Sequence, residues 1–261
     1  MKDFTLRSYR RYLHAIRSSF STILRFDEFL FSDSKPDSFC LIRHDVDRKP
    51  NNSLKMAEVE AELGIRATYY FRAKPNVFNV PVIREIESMG HEIGYHYESL
   101  SDYNGDMFLA LKGFMHNLNK FREVVPIRTI SMHGAPLSPF DNRDIWREPK
   151  NHALLINELG ILGEIYLDID YSDIVYINDT GRNWFSSKSN IRDHVATRLN
   201  LDFKNGDELY NYLAVSADPR LVFQIHPERW SDHISDYYLN YFTDHIVNSA
   251  KYMLMLWGRD R

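Results

Sequence analysis

The chain has 261 residues, of which 44% are hydrophobic and 14% aromatic, so it can form one large globular domain or at most two small ones. Its formal net charge of -4 argues against nucleic acid or an anionic membrane surface as a partner, and its single cysteine, Cys40, excludes an intrachain disulfide. The charged N-terminus lacks an apolar signal region, and no segment approaches the ~18 apolar residues of a membrane span. We therefore expect a cytoplasmic protein.

The first 38 residues predict a helical extension that packs on the rest of the chain. Apolar residues recur there at helical spacing, at Leu6, Tyr9, Leu13, Ile16 and Phe20. Arginines occupy the other side of this helix, which is typical of a solvated face. We predict one domain over residues 1–261, with the segment 1–38 packed on it.

From residue 39 onward, strand-like and helix-like segments alternate. The strand-like segments are apolar or β-branched runs, at 39–47, 67–72, 92–96, 127–133, 163–168, 174–177 and 221–226. The helix-like segments carry apolar stripes, several of which end at a glycine, at 53–63, 81–89, 108–121, 153–159, 207–215 and 231–257. The segment 134–150 is predicted to be a long loop. This alternation predicts an α/β fold with a parallel sheet, either closed as a barrel or open and doubly wound.

The first of these strands ends in two carboxylates. Asp45 and Asp47 share one face with Arg43, because side chains alternate along an extended chain. Burying such charges is costly unless they pair with each other, a metal or a substrate. Histidines end three further predicted strands, at His96, His133 and His226. The carboxyl ends of parallel strands meet at one edge, where α/β folds place their active sites, so we predict a shared polar site there.

Several motifs follow one another along the chain. They are Arg43-His44-Asp45-Val46-Asp47, Ala67-Thr68-Tyr69-Tyr70-Phe71, Gly90-His91-Glu92-Ile93-Gly94-Tyr95-His96 and Phe223-Gln224-Ile225-His226. In order and spacing they resemble the motifs of polysaccharide deacetylases with the NodB homology fold. With Met132-His133-Gly134 and His226-Pro227-Glu228-Arg229-Trp230, they resemble its WbmS-like branch, which is tied to bacterial surface polysaccharides. The resemblance implies an irregular (β/α) barrel that removes acyl groups from amino sugars with a divalent metal, usually zinc.

By this resemblance, Asp45 is the general base, Asp47 is a metal ligand, and His226 is the acid that protonates the leaving amine. The division of roles is chemically sensible, because a carboxylate that does not bind the metal can take a proton from an activated water. Other interpretations remain open. The two acids could cap the next helix or pair with Arg43, and His226 could bond to the loop at Pro227.

The implied set of metal ligands departs from the family pattern. His96 matches the first histidine of the family's metal motif, but Leu100 replaces the second, whereas a catalytic zinc site generally needs three protein ligands. We favour His133 over Glu98 as the third ligand. His44 is the least favoured of the three candidate ligands, because its side chain alternates to the opposite side of its strand.

The arginine that orients the base in the wider family is missing from its usual motif. Arg43, on the same face as Asp45, is the first candidate to replace it, and Arg72 or Arg143 could also reach in.

Four residues are candidates for binding the substrate. The rings of Trp184 and Trp230 could stack on a sugar, while Asp179 and Arg182 could hold its hydroxyls or an anionic substituent. An ordinary loop with buried aromatic residues is the alternative interpretation of this region.

The sequence therefore predicts a metal-dependent amidohydrolase acting on an amino sugar in a precursor of a surface polysaccharide. Hydrolysis of another amide, such as a formamide or a cyclic ureide, is the enzymatic alternative, because one fold can serve several reactions. A degenerate member that binds a glycan without turnover is the other alternative, and Leu100 is the feature that supports it.

Overall fold

The computed structural model describes residues 2–135, 138–185, 194–215 and 218–259. In these residues a parallel sheet consists of β1 (Ile23–Leu24), β2 (Phe39–Val46), β3 (Thr68–Phe71), β4 (Glu92–Tyr97), β5 (Thr129–Met132), β6 (Gly163–Glu164), β7 (Val175–Asn178) and β8 (Arg220–Ile225). The order across the sheet is β6-β5-β4-β3-β2-β8-β7, and β1 pairs with β2. Every pairing among these strands is parallel.

Helices connect most of the strands. They are α1 (Leu6–Ser19), α2 (Phe26–Phe31), α3 (Pro50–Glu62), α4 (Val80–Ser88), α5 (Ser99–Asp102), α6 (Met107–Arg122), α7 (Asp144–Arg147), α8 (Pro149–Ala153), α9 (Gly206–Val215) and α10 (Ile234–Arg259). A π-helical turn, Leu154–Glu158, continues α8, and a 3-10 turn, Pro227–Arg229, follows β8. Within the described ranges, no helix has both the length and the apolar composition to cross a membrane.

The sheet curls around its own inner face. Arg43 of β2 donates hydrogen bonds to the Ser131 hydroxyl of β5 at 2.6 Å and to the Tyr176 hydroxyl of β7 at 3.4 Å. In a flat sheet, β2 and β5 would lie about 14 Å apart, which is three strand spacings and beyond the reach of an arginine side chain. The described strands form no pairing between β6 and β7, so the barrel is open there. The predicted α/β fold, an irregular (β/α) barrel, is confirmed.

The N-terminal segment contributes a strand as well as helices. α1 buries Tyr9, Leu13 and Ile16 in the same apolar core as the barrel strands, as its periodicity predicts. β1 then pairs with the first half of β2. The segment 1–38 is therefore partly built into the sheet, and the single domain over the whole chain stays a prediction.

Two regions differ from the sequence-based prediction. The predicted loop at 134–150 contains α7 and the start of α8, because these helices are too short to show an apolar period. The strand predicted over 163–168 ends at Glu164, because the N–H groups of Leu167 and Asp168 both donate to the Glu164 carbonyl at 2.9 Å. The chain therefore turns immediately after β6.

Candidate active site

Titratable side chains from separate strands come together at the carboxyl edge of the barrel. Asp45 lies near the end of β2 and Asp47 just beyond it, while histidines lie on β4, after β5 and after β8, as His96, His133 and His226. His96 Nε2 is 3.6 Å from Asp45 Oδ2 and 3.5 Å from Asp47 Oδ1. The structure thus brings the strand-end residues together at the edge where parallel sheets place their sites.

Asp45 is fixed in one orientation by two neighbours inside the barrel. Arg43 donates from Nε to Oδ1 and from Nη2 to Oδ2, both at 2.7 Å, and Gln224 Nε2 donates to Oδ2 at 2.7 Å. Burial by itself raises the pKa of Asp45, but Arg43 outweighs it, with smaller contributions from His96 and His226, and the pKa is lowered. Asp45 is therefore an oriented, ionised carboxylate at neutral pH.

Asp47 presents a buried oxygen atom without a hydrogen-bond partner. Its Oδ1 accepts no hydrogen bond from the described residues, although His96 Nε2 and His133 Nε2 lie 3.5 and 3.6 Å away. These separations are longer than ordinary hydrogen bonds. They resemble the spacing of donors around a tetrahedral zinc ion, which is about 3.4 Å when each donor lies about 2.1 Å from the metal.

Both imidazoles are oriented through their other ring nitrogen. His96 Nδ1 lies 3.0 Å from the Ser131 carbonyl oxygen, and because a carbonyl only accepts, Nδ1 holds the proton and Nε2 can act as a ligand. His133 Nδ1 lies 3.0 Å from Glu98 Oε2, although the two groups are not aligned as a hydrogen bond. Arg72 in turn donates two hydrogen bonds of 2.8 Å to Glu98. Glu98 is thus placed to orient His133.

The donor set fits a divalent metal by chemical type. One carboxylate and two imidazoles are ligands that zinc takes in catalytic sites, and the unpaired Oδ1 of Asp47 supports the fit. Within the ranges that the structure describes, however, no three His, Cys, Asp or Glu side chains are already closed into a complete metal site. An ion would have to draw Asp47, His96 and His133 together, and the metal stays a prediction.

His226 is bound to a buried carboxylate on the loop after β7. Asp179 accepts a hydrogen bond from the His226 backbone N–H at 3.1 Å and lies 2.6 Å from its Nδ1. Arg229 Nη1 and Trp230 Nε1 donate to the same carboxylate at 2.9 and 2.8 Å. Burial and then Arg229 lower the pKa of His226, but Asp179 outweighs them and the pKa is raised. The contact at Nδ1 leaves Nε2 to serve a substrate.

The two tryptophans predicted to stack on a sugar lie in the protein core. Trp184 is 3% exposed and Trp230 is 1% exposed. The ring of Trp184 is stacked between those of Phe4 and Phe223, with centroids 5.5 and 5.9 Å away. The prediction is wrong for both residues, because neither has an open face. The aromatic rings instead attach the N-terminal segment to the barrel.

Asp179 and Arg182 are not placed to hold the hydroxyls of a sugar directly, whereas a role of Arg182 toward an anionic substituent stays a prediction. Asp179 is fully buried, and its oxygens are used by His226 and its neighbours. The Arg182 side chain is 5% exposed and lies over the rings of Phe4 and Tyr237, 4.8 and 4.5 Å from their centroids. Neither side chain faces an open binding surface.

The alternative candidates have other partners. His44 points to the opposite side of β2, where its Nε2 lies 2.7 Å from Glu60 Oε1. Arg72 is engaged with a glutamate, as described above, and Arg143 pairs with Asp141 at 2.6 Å. The structure therefore places Arg43, rather than these two arginines, against the proposed base.

The structure adds polar residues that the sequence does not single out. Gln224 donates a hydrogen bond to Asp45, the proposed base. The Tyr176 hydroxyl in turn donates a hydrogen bond to Oε1 of Gln224. Glu228 is 3% exposed, its Oε2 has no hydrogen-bond partner among the described residues, and burial followed by Asp47 raises its pKa to about 7. Gln224 could have been predicted from the sequence, because residues two apart in a strand share a face and His226 is two residues away. Glu228 could not, because it lies in a turn, where side chains follow no regular alternation.

No protein-family model and no curated protein sequence matches this chain. Its structure is similar to several solved ones. A CE4 esterase from Streptococcus mutans is 14% identical with a TM-score of 0.46, covering 87% of this chain and 86% of the esterase. A family 4 carbohydrate esterase from Bacillus anthracis is 12% identical with a TM-score of 0.37, covering 95% and 86%. The Xyl-CE4 domain of a multidomain xylanase from the hindgut metagenome of Trinervitermes trinervoides is 12% identical with a TM-score of 0.39, covering 84% and 85%. Identities of 12–14% and TM-scores below 0.5 carry no evidence about the activity of this chain.

Proposed function

We propose that this protein is a metal-dependent amidohydrolase that removes an acyl group from an amino sugar. The observation that carries the proposal is the buried, unpaired Oδ1 of Asp47 between two imidazole nitrogens, beside the Asp45 carboxylate that Arg43 orients. Amide hydrolysis by an activated water needs both a metal-ligand set and a separate base. Asp45 would serve as the base and Asp47 as one of the ligands at the end of β2, while His96 on β4 and His133 just after β5 would complete the ligand set.

Asp47, His96 and His133 would hold the divalent cation, and zinc is the first candidate because it takes carboxylate and imidazole ligands. When bound, the cation would acidify a water molecule and polarise the amide carbonyl. Glu98 would keep His133 in its ligand orientation, since partners of this kind fix the ring and its tautomer.

Asp45 would accept the proton of the attacking water. Arg43 and Gln224 fix its two oxygens at 2.7 Å, so the carboxylate needs no reorientation before the step. Its lowered pKa makes it a weak base, which suits a water that has itself been acidified.

His226 would protonate the leaving nitrogen. Expulsion of an amine from a tetrahedral intermediate requires a proton on nitrogen, and a positioned acid contributes roughly 10²–10⁴-fold in rate. Asp179 holds His226 Nδ1 and raises the pKa of the ring, which favours the protonated imidazole that an acid requires.

The motif resemblance supports an amino sugar in a bacterial surface-polysaccharide precursor as the substrate, and the cytoplasmic location stays a prediction. A formamide or a cyclic ureide would use the same groups, so both belong in a substrate panel. A glycan-binding role without turnover is less favoured, because His133 Nε2, 3.6 Å from Asp47 Oδ1, could supply the third ligand although Leu100 replaces the family's histidine.

Metal analysis of the purified protein tests the proposal. We expect about one divalent ion per chain after incubation with zinc, and loss of most of it in Asp47→Ala, His96→Ala and His133→Ala. His152→Ala is the matched control, because His152 is partly exposed and pairs with Asp168 away from this site. Equal metal content in His133→Ala and His152→Ala would refute the ligand assignment. Hydrolysis assays on the substrate panel then separate the reactions.

A further inference from the structure

A second group of charged side chains lies beside the proposed catalytic residues and under α10. Arg48 follows Asp47 directly, Arg182 lies on the loop after β7, and Arg229 lies on the turn after β8. We call these three residues the arginine cluster. Asp244 of α10 faces all of them, and its side chain is 7% exposed.

Asp244 stands among the three guanidinium groups without hydrogen-bonding to any of them. Its Oδ1 is 3.8 Å from Arg48 Nη2 and 3.9 Å from Arg229 Nε, and its Oδ2 is 3.6 Å from Arg182 Nη1. In the described part of the chain, Arg182 Nη2, Arg229 Nε and Asp244 Oδ2 are buried without a hydrogen-bond partner. These ion pairs leave the buried polar atoms without hydrogen bonds, which costs free energy. Arg182 Nη2 and Arg229 Nε can therefore donate hydrogen bonds to a further acceptor.

The unpaired donors favour an oxyanion over a neutral ligand. Guanidinium groups match the geometry of phosphate oxygens and form strong, paired hydrogen bonds with them. The nearby carboxylates meet only part of this demand. Asp179 accepts from Arg229 Nη1 at 2.9 Å but leaves Arg229 Nε without a partner, and Glu228 Oε1 is 3.6 Å from Arg48 Nη2. A phosphate group has more acceptor oxygens than the one carboxylate of Asp244, so it can bond several of these donors at once.

We propose that the arginine cluster is a phosphate subsite, in which a phosphate group would replace the Asp244 carboxylate among the three guanidinium groups. The side chain of Arg48 is 44% exposed and that of the adjacent Lys49 is 36% exposed, which gives an anion access from solvent. The inner arginine donors become available when the Asp244 carboxylate moves aside.

The position of the subsite narrows the substrate class, an inference that rests on the proposed function. Arg48 is the residue after a proposed metal ligand, Asp47, and Arg229 shares the Asp179 carboxylate with His226, the proposed acid. A phosphate held there would keep the amide of the same molecule next to the reacting groups. The subsite therefore favours an amino sugar that carries a phosphate or diphosphate ester, as in an activated precursor, over a finished neutral polymer.

Calorimetric titration of the full-length protein with inorganic phosphate, in the presence of a chelator, tests the subsite separately from any metal. Arg48→Gln should weaken phosphate binding roughly tenfold, which is the worth of one hydrogen bond to a charged group. Asp244→Asn should tighten it several-fold, because the internal competitor loses its charge. Arg66→Gln is the matched control, since Arg66 is 48% exposed and pairs with Glu28 near the start of β3. It should bind phosphate as the wild type does.

The outcomes are distinguishable. Absence of phosphate binding at tens of millimolar, or equal weakening in Arg48→Gln and Arg66→Gln, would overturn the subsite. A folded Asp244→Asn that binds no more tightly would overturn the role of Asp244, and thermal melting shows whether each variant is folded. Because Arg48 is exposed, its variant keeps the test valid even if Asp244→Asn fails to fold.

A kinetic comparison then tests the substrate class. An N-acetylated hexosamine and its 1-phosphate should differ in KM, with the lower KM for the phosphate ester, and Arg48→Gln should remove the difference. Equal KM values would overturn the substrate assignment and leave free phosphate as the ligand. If no amide is hydrolysed while phosphate binding responds to the variants as stated, the proposed function fails and the subsite stands.

Discussion

Two carboxylates on either side of His226 show how contacts set the charge of buried acids in this protein. Burial raises the pKa of Asp179, but Arg229 and His226 outweigh it and the pKa falls to about 2. Burial also raises the pKa of Glu228, and Asp47 adds to that effect, so this pKa rises to about 7. The difference follows from the donors that each side chain receives, because both residues are buried.

Asp179 should set the pH range in which His226 can act as an acid. In Asp179→Asn the charge that raises the pKa of His226 is removed, so the imidazole loses its proton at lower pH. The alkaline limb of the kcat/KM profile should move down by roughly one to three pH units, the usual effect of a close opposite charge. An unshifted limb in the folded variant would mean that another group is the acid.

Asp45→Asn should keep the metal and lose activity. The substitution preserves the size of the side chain but removes the proton acceptor, so turnover should fall roughly 10²–10⁴-fold. Metal content by elemental analysis and kcat on the best substrate of the panel are the two measurements. Asp47→Asn provides the contrast, since this variant should lose the metal as well as the activity. If both variants lose metal equally, Asp45 is a ligand.

At the scale of elements, α1 and α3 are attached to β2 by a buried polar cluster on the outer side of the sheet. Glu60 of α3 lies 2.7 Å from His44 Nε2, and Tyr69 donates to its Oε2 at 2.7 Å. Tyr9 of α1 also donates a hydrogen bond to Glu60. One carboxylate therefore links two helices and two strands.

Glu60→Gln should destabilise the fold strongly without affecting metal binding. Tyr9, Tyr69 and His44 all contact this carboxylate, and each buried donor that loses its acceptor costs about 1–3 kcal/mol. Glu62→Gln on the same helix is the control, since its ion pair with Arg10 is exposed and such pairs contribute about 0–1 kcal/mol. Chemical denaturation measures both. Similar unfolding free energies for the two variants would contradict this role of Glu60.

The elements with long, regular patterns could be predicted from the sequence. The apolar spacing of α1 predicts a helix, and the alternation of side chains along β2 predicts that Arg43 and Asp45 share one face. The end of β6 and the presence of α7 could not be predicted, because both segments are too short to show a period. Their bounds depend on local hydrogen bonds and on packing against distant residues.

The candidate site was predictable in part for the same reason. Residues at strand ends, such as His96 and His133, could be placed at one edge by the parallel order of the sheet. The partner of His226 could not be predicted from the sequence, because Asp179 lies 47 residues away from it. The same turn and aromatic residues around Trp184 are compatible with a sugar platform or with a buried core, and only the packing of the N-terminal segment decides between them.

At the scale of the whole molecule, several buried acids have a raised pKa. Burial is the main cause, and it raises the pKa of Glu92 to about 8 and those of Glu164 and Glu228 to about 7, from an ordinary value of 4.5. Between pH 4.5 and these values, the folded state binds more protons than the unfolded state, so stability decreases as pH rises. The pKa of His226 is raised and that of His91 is lowered, and these two shifts act in opposite directions.

The melting temperature should therefore be higher near pH 5 than near pH 8. Acids with a lowered pKa, such as Asp45, add stability only as pH rises to about 4–5, and they leave the slope above that range unchanged. Glu164→Gln removes one of the titrating groups, so it should flatten the decline between pH 5 and pH 7, by roughly 1–3 kcal/mol. The exposed Glu62→Gln should keep the wild-type slope. Scanning calorimetry across this range measures the effect, and a melting temperature that rises from pH 5 to pH 8 would show that these carboxyls are ionised in the folded protein.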